Sequence, residues 1–366
     1  MLNIEDFKKI VDNPSNGNIR KTSYGFALFQ ANMNRFMPEI EASTYEKIFK
    51  QLIINQHIAT LGQDDFEIID NINVHNNSFI SLNGKMPTEY SVIFATFHYG
   101  HYRMLLSYLA KIGYKIVLIV DDFVFDKKSS AYYKSFDRII QHYKQTDSDL
   151  IVLNVKESST IFKIKNLMNK GYALVVFLDG NTGLLKKPNY DKGFIEIDFL
   201  KSKIYAKIGV GILSYLLKAQ IIPALTYWDE MQMLHLDFMQ NLEVPNLRRE
   251  NYTIFVIKKL YSILETYIKR EPEQWECWSY MHKWINRTEI FQYFTENKIF
   301  NNMFNNHRYT TFTVKENAFI FDKFSYLSYP IGNETFEHIN NNRLSAIPVG
   351  LYNEFVNKNI IIWKNQ

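Results

Sequence analysis

Val92-Ile93-Phe94-Ala95-Thr96, followed by Phe97-His98-Tyr99-Gly100-His101-Tyr102-Arg103, is the stretch that decides the fold. Its first five residues carry no polar alternation, so they read as a strand buried on both faces. From Tyr102 to Lys111 the apolar residues recur at helical spacing, and Gly113 stops the pattern. A short apolar strand, a turn holding histidines and an amphipathic helix form one unit of a parallel α/β sheet.

The same rhythm continues outward. Lys115 to Val120 reads as a strand and Ser130 to Lys144 as a helix; Leu150 to Asn154 and Ser158 to Asn169 repeat the pair. Ala173 to Leu178 and Phe194 to Phe199 read as strands, Ile204 to Leu217 as a helix, Ile221 to Trp228 as a strand and Tyr252 to Lys269 as a helix. Gly171 stands just past a helix, where a left-handed cap is favoured. The expected fold class is α/β, a largely parallel central sheet flanked by helices. Upstream, residues 1–90 read as a helical lead, with apolar periodicity over Phe26 to Phe36 and Ser43 to Leu61. Downstream the texture changes to Asn- and Phe-rich segments, two short strands between Thr311 and Tyr326 and a short helix from Asn333. The expected domains are therefore 1–288 and a small α+β accessory domain, 289–366.

Composition narrows the function. The chain has 366 residues, 46% hydrophobic and 16% aromatic, which supplies a large core and excludes intrinsic disorder. A net charge of +4 is too small to argue for nucleic acid, though it suits an acidic partner. Cys277 is the single cysteine. That leaves no intrachain disulfide or cysteine-cluster metal site, and makes a reducing cytosol the expected compartment. The apolar stretch Gly209 to Trp228 is broken by Lys218, Gln220 and Pro223, so at most peripheral membrane contact is expected. The remaining histidines sit in no ligand-like spacing, and no metal is expected.

His98 carries the chemistry. A histidine at the carboxyl end of a parallel strand sits where open α/β sheets place their sites. There an imidazole can take a proton from a hydroxyl or amine as that group attacks an activated carbonyl. Asp179 closes another buried-looking strand and precedes Gly180-Asn181-Thr182-Gly183, a turn able to aim backbone N–H groups at a ligand oxygen. Lys186 and Lys187 follow. No nucleophile elbow and no phosphate-binding loop occurs, so direct attack by an acceptor is favoured over a covalent enzyme intermediate.

Four stretches, in order, carry a resemblance: Asn32-Met33-Asn34-Arg35-Phe36-Met37-Pro38; His98-Tyr99-Gly100-His101-Tyr102; Leu178-Asp179-Gly180-Asn181-Thr182-Gly183 with Gly193-Phe194 and Phe199; and Pro272-Glu273-Gln274-Trp275 with Trp278, His282-Lys283-Trp284 and Arg287. Together they resemble the bacterial lipid A late acyltransferases of the lysophospholipid acyltransferase superfamily, over roughly residues 28 to 288. The resemblance implies a glycerolipid acyltransferase-like fold and an acyl thioester donor, with acyl carrier protein or coenzyme A as the partner. The phosphopantetheine thioester or coenzyme A would be a co-substrate and no cofactor would be bound permanently. It implies His98 as the general base. His101, Asp122, Gly180, Asn181, Lys186 and Lys187 are the expected substrate contacts.

The chain departs from that family where the acidic partner of the histidine should stand: the fifth position after His98 is Arg103. After the next strand, where the family usually has an arginine, come Asp121 and Asp122. A charge exchange is the expectation: Arg103 pairs with Asp121 or Asp122, or one of them orients His98. Catalytic candidates are thus His98, Arg103, Asp121 and Asp179. The polar N-terminus and the extra C-terminal segment favour a soluble or carrier-bound acceptor. Two alternatives stand beside this: a non-catalytic acyl- or carrier-binding relative, and an enzyme condensing carrier-bound units. Glu273, His282, Lys283 and Arg287 are expected on one helix, with Trp275, Trp278 and Trp284 burying it.

Overall fold

The computed structural model describes residues 23–63, 65–78, 91–180, 193–243, 247–285 and 303–362. In chain order its elements begin with helices α1 (Tyr24–Phe36), α2 (Tyr45–Leu61) and α3 (Phe66–Asp70). Strands β1 (Asn73–Asn76) and β2 (Val92–Thr96) lead to α4 (Met104–Lys111), β3 (Lys115–Val120), α5 (Asp122–Tyr143), β4 (Asp149–Asn154), α6 (Thr160–Met168) and β5 (Tyr172–Phe177). Then come β6 (Phe194–Phe199), β7 (Ser202–Lys207), α7 (Gly209–Leu217), β8 (Gln220–Trp228), β9 (Leu234–Phe238) and α8 (Arg249–Arg270). The C-terminal part holds β10 (Met303–Phe304), β11 (Tyr309–Val314), β12 (Asn317–Asp322), β13 (Leu327–Ile331), α9 (Asn333–Asn340), α10 (Val349–Asn357) and β14 (Ile361–Ile362).

Two compact units divide the chain. The larger comprises residues 54–199 and 205–277, the smaller 1–53, 200–204 and 278–366. The boundary expected at 288/289 is not where the units part: residues from Trp278 onward group with the first 53. Within the smaller unit, Tyr24 of α1 packs its ring on Phe312 and Phe321 of the C-terminal sheet, and the buried Asn32 side chain bonds Trp278 and Tyr326. The α1 segment is thereby part of that unit's core.

The larger unit is built on a seven-stranded sheet of order β1-β9-β8-β2-β5-β3-β4. From β8 to β4 all pairings are parallel; β9 runs antiparallel to β8, and β1 is parallel to β9. Alternate strand residues, among them Val92, Phe94, Ile116, Leu118, Val175 and Ile222, join one cluster with α4 and α5. Residues of the other parity, such as Ile93, Val117, Leu174 and Ile221, are equally buried. Both faces are covered, which is why these strands lack polar alternation.

Local readings hold where the pattern is strong and fail where it is short. Gly171 takes φ +83°, as its place after α6 requires. The helix expected over Ile204 to Leu217 is instead strand β7 and the shorter α7. Ile204 and Ala206 are buried while their neighbours are more exposed, a period of two that ends before α7 begins at Gly209. The helix expected around Glu273 to Arg287 is two 3₁₀ stretches, Pro272–Gln274 and Glu276–Lys283, with Trp275 extended between them. Arg287 lies outside the described residues. No helix among the described residues is long and apolar enough to cross a membrane.

Candidate active site

The turn after β2 is fixed by backbone before any side chain acts. Gly100 donates its N–H to the Gln274 carbonyl at 2.8 Å, and Glu276 donates to the His98 carbonyl at 2.9 Å. The His98–Gly100 segment is thus clamped to Gln274–Glu276. Gln274 in turn grips Trp228, its Oε1 accepting from that backbone N–H at 2.9 Å and its Nε2 donating to the carbonyl at 2.7 Å. Gly100 has φ +58°, and a Cβ there would run into the Thr226 backbone carbonyl. Only glycine satisfies both conditions.

Clamped this way, His98 faces Asp179, which follows β5, the parallel neighbour of β2. The His98 Nδ1–H donates to Asp179 Oδ1 at 2.7 Å, and the His98 backbone N–H reaches both carboxylate oxygens at 3.1 and 2.9 Å. On the far side, Trp275 Nε1 donates to Oδ2 at 2.9 Å and the Cys277 thiol approaches the same oxygen at 3.3 Å. Asp179 is 1% exposed, yet every lone pair has a donor, which is the condition for keeping a buried carboxylate ionised. Burial pushes the Asp179 carboxyl up, but the charge of His98 and the hydrogen bonds from His98 and Trp275 outweigh it and hold its pKa below the ordinary 3.8. For His98, burial pulls the imidazolium down; the charge and hydrogen bond of Asp179 outweigh that and lift its pKa above 6.5, with Arg103 opposing.

The ring of His98 stands edge-on to Tyr102, centroids 4.7 Å apart, and leans on Phe177 at 4.8 Å. Its side chain remains 25% exposed. With Nδ1 committed to Asp179, Nε2 is the ring nitrogen available for proton transfer. The imidazole is locked in orientation and open to solvent on one side.

The expected charge exchange does not form among the described residues. Asp121 is the N-cap of α5, its carboxylate accepting from the Val124 N–H at 2.9 Å. Asp122 accepts from Asn154 Nδ2 at 2.7 Å and is ion-paired with Lys156. Helix α5 starts directly after β3, not at Ser130, so its first turn claims Asp121. Arg103 donates Nη1 to Gln63 Oε1 at 3.1 Å and Nε to the Tyr102 hydroxyl at 3.4 Å. The carboxylate that orients His98 comes from Asp179, 81 residues away in sequence.

His101, expected to touch substrate, is fully buried instead. Neither ring nitrogen has a hydrogen-bond partner among the described residues, and a Cβ on Gly62 would lie 2.8 Å from its Nε2. Burial first, then the Arg103 charge, pushes its pKa down to about 3, so it stays neutral. Gly180 accepts a bond from Lys207 Nζ at 2.8 Å. Burial pulls the Lys207 ammonium down while Asp121 and Asp179 hold it up, placing a cation near the His98–Asp179 pair. Asn181, Lys186 and Lys187 lie outside the described residues.

Sequence reading missed three of these contributors: Lys207, and the use of Trp275 and Cys277 as donors to Asp179. Trp275 and Cys277 were legible only as core residues, and they are that as well, at 0% and 1% exposure. His98, Asp179 and Cys277 also set a nitrogen, an oxygen and a sulfur within 4.8 Å of one another, near enough to hold a metal ion. The contacts favour the orienting role: the His98 backbone and ring, the Trp275 indole and the Cys277 thiol together occupy both oxygens of Asp179. Burial first, then Asp179 and Glu276, push the Cys277 thiol well above its ordinary value, so it is not the thiolate that would accept an acyl group.

No family model matches the chain, and no curated protein matches it. Among solved structures it is similar to the 1-acyl-sn-glycerophosphate acyltransferase PlsC from Thermotoga maritima, at 13% identity over 65% of this chain and 94% of that one, with a TM-score of 0.29. It is also similar to the pilus retraction motor PilT with bound ADP, at 15% identity over 58% and 66%, with a TM-score of 0.24. At those scores neither likeness carries an argument about this chain. The site stands on its own geometry.

Proposed function

We propose that the chain is an acyltransferase in which His98 acts as general base. It moves an acyl group from a thioester, on acyl carrier protein or coenzyme A, to an amine or hydroxyl of a soluble or carrier-bound acceptor. The observation that carries this reading is the 2.7 Å bond between His98 Nδ1 and the buried Asp179 carboxylate. It supplies the orienting acid that the sequence lacks after His98.

His98 Nε2 takes the acceptor's proton as its oxygen or nitrogen attacks the thioester carbonyl. Asp179 stabilises the imidazolium that forms, without itself taking the proton. Collapse of the tetrahedral adduct breaks the C–S bond, and the imidazolium returns the proton to the leaving thiolate. A covalent enzyme intermediate is not needed, and the protonated, buried Cys277 is unsuited to form one. The elements that resembled the lipid A acyltransferases divide in this scheme: the His98 and Asp179 segments hold the chemistry, while Gln274 and Trp275 hold those segments in place.

Incubation of the chain with acyl carrier protein loaded with medium- and long-chain acyl groups, and a panel of amines and alcohols, tests this by mass spectrometry. Transfer by the wild type and none by His98→Ala is the expected result. Undiminished transfer by His98→Ala would remove the base assignment.

A further inference from the structure

The smaller unit ends in a three-stranded antiparallel sheet of order β11-β12-β13. β13 reads Leu327-Ser328-Tyr329-Pro330-Ile331 and pairs with β12 alone among the described residues. Its residues are exposed along nearly its whole length, Leu327 by 50% and Tyr329 by 40%. An open edge of this kind offers a row of backbone donors and acceptors to any strand that reaches it.

The alternation of the ladder says which groups face out. Pro330 has no N–H to give to β12, a condition tolerated where that position faces away from the neighbour. Ser328, two residues back, shares its orientation. The free edge therefore presents the Ser328 N–H and carbonyl and the Pro330 carbonyl. Tyr329 and Ile331 fall on the opposite parity, facing the same side as Ile320 across the ladder.

Beside this edge lies a cavity of about 510 Å³ between the sheet and α10. Ile320, Phe355 and Ile360 form its buried floor, and Tyr329 and Leu351 its walls. The charges on its rim are already matched: Arg308 with Asp322 at 2.8 Å, and Lys358 with Glu354 at 2.6 Å. The site thus joins a backbone edge that pairs with no second strand among the described residues to a largely apolar slot whose charged lining side chains are ion-paired. A lipid or a small acid would use the slot and leave the edge idle. A second backbone, with a side chain directed to one face at every other residue, uses both.

We infer that the β13 edge and its groove bind an extended segment of another polypeptide, added as a fourth strand, with apolar side chains at alternate positions entering the slot. Recognition rests on main-chain bonds at Ser328 and Pro330 and on apolar burial, so it is weakly dependent on salt. This goes beyond the acyl-transfer reading and does not rest on it.

The test uses the full chain and fluorescent synthetic nine-residue peptide pools. One pool carries Val, Leu or Ile at alternate positions; a second has the same composition with the apolar residues in one block. The alternating pool is expected to bind at least ~10-fold more tightly, and to protect the Ser328 amide from hydrogen exchange. Ser328→Pro removes the one outward donor while sparing the ladder to β12, and is expected to weaken binding ~10-fold, the worth of one good hydrogen bond. Tyr329→Ser, which opens a wall of the slot, weakens it independently. His98→Ala leaves it unchanged, so failure here and failure of the acyl-transfer reading are separable. Equal binding of the two pools would overturn the inference. So would wild-type affinity in both variants, or protection of Ser328 that tracks dimerisation of the chain itself.

Discussion

Two adjacent parallel strands, β3 and β5, are each followed within two residues by an aspartate, and the structure treats the two oppositely. After β3 a helix begins at once, so Asp121 caps it and Asp122 is drawn to Lys156 at the surface. After β5 the chain turns instead, and Asp179 points inward to His98, Trp275 and Cys277. The same residue type near the ends of neighbouring strands caps a helix in one case and is hydrogen-bonded to an imidazole in the other. What decides between them is whether a helix N-terminus or an imidazole is nearer to claim the carboxylate.

Substitutions at the two ends should separate sharply. Asp179→Asn keeps the shape but loses the charge that fixes the His98 tautomer. Turnover in the acyl-transfer assay is expected to fall by ~10³–10⁴, as for the orienting acid of other histidine-dependent sites. Gly100→Ala should act through the fold: its Cβ has no room against Thr226 and its φ is left-handed, so a loss of a few kcal/mol, roughly, is expected in denaturant titration. Trp275→Phe keeps most of the packing but strips one donor from Asp179, and about tenfold lower turnover with an altered pH profile is expected. At the β3 end, Asp121→Ala should cost about 1 kcal/mol of stability through the lost cap and leave turnover alone. Asp122→Asn, on the surface, should move neither. A strong activity loss in either β3 aspartate would erase the contrast.

The pH dependence follows from the same pair. His98 titrates above 6.5, so its free-base form, and with it turnover, should fall off on the acid side of a limb centred above that value. Its raised pKa contributes stability that is fully present below 6.5 and lost as pH rises through the folded-state value. The depressed pKa of Asp179 contributes stability present above 3.8 and lost as pH falls through its folded-state value. Unfolding free energies across pH in the wild type and Asp179→Asn check both signs.

How much of this was legible beforehand differs between the same two ends. The strands β2 to β5 announced themselves because burial on both faces removes polar alternation, and His98 and Asp179 were visible as polar residues closing two of them. Their pairing was not visible, because strand order is a property of the sheet and nothing local says that β5 lies beside β2. Along the chain the carboxylates nearest the end of the next strand are Asp121 and Asp122; the one that meets His98 comes from across the sheet. β7 reads as helix because its six alternating residues run directly into the apolar α7. The Trp275 and Cys277 donors were hidden for another reason: an indole and a thiol in an apolar run read as core, and only geometry shows where the N–H and S–H point.

If Asp179 fixes the His98 tautomer and raises its basicity, ¹⁵N-edited NMR titration of His98 registers both effects. In the wild type the ring should carry its proton on Nδ1 when neutral and titrate above 6.5; in Asp179→Asn the pKa should drop, since burial and the Arg103 charge are then opposed by the Glu276 charge alone. A wild-type pKa at or below 6.5, or one that Asp179→Asn leaves unmoved, would show that the carboxylate does not govern the ring.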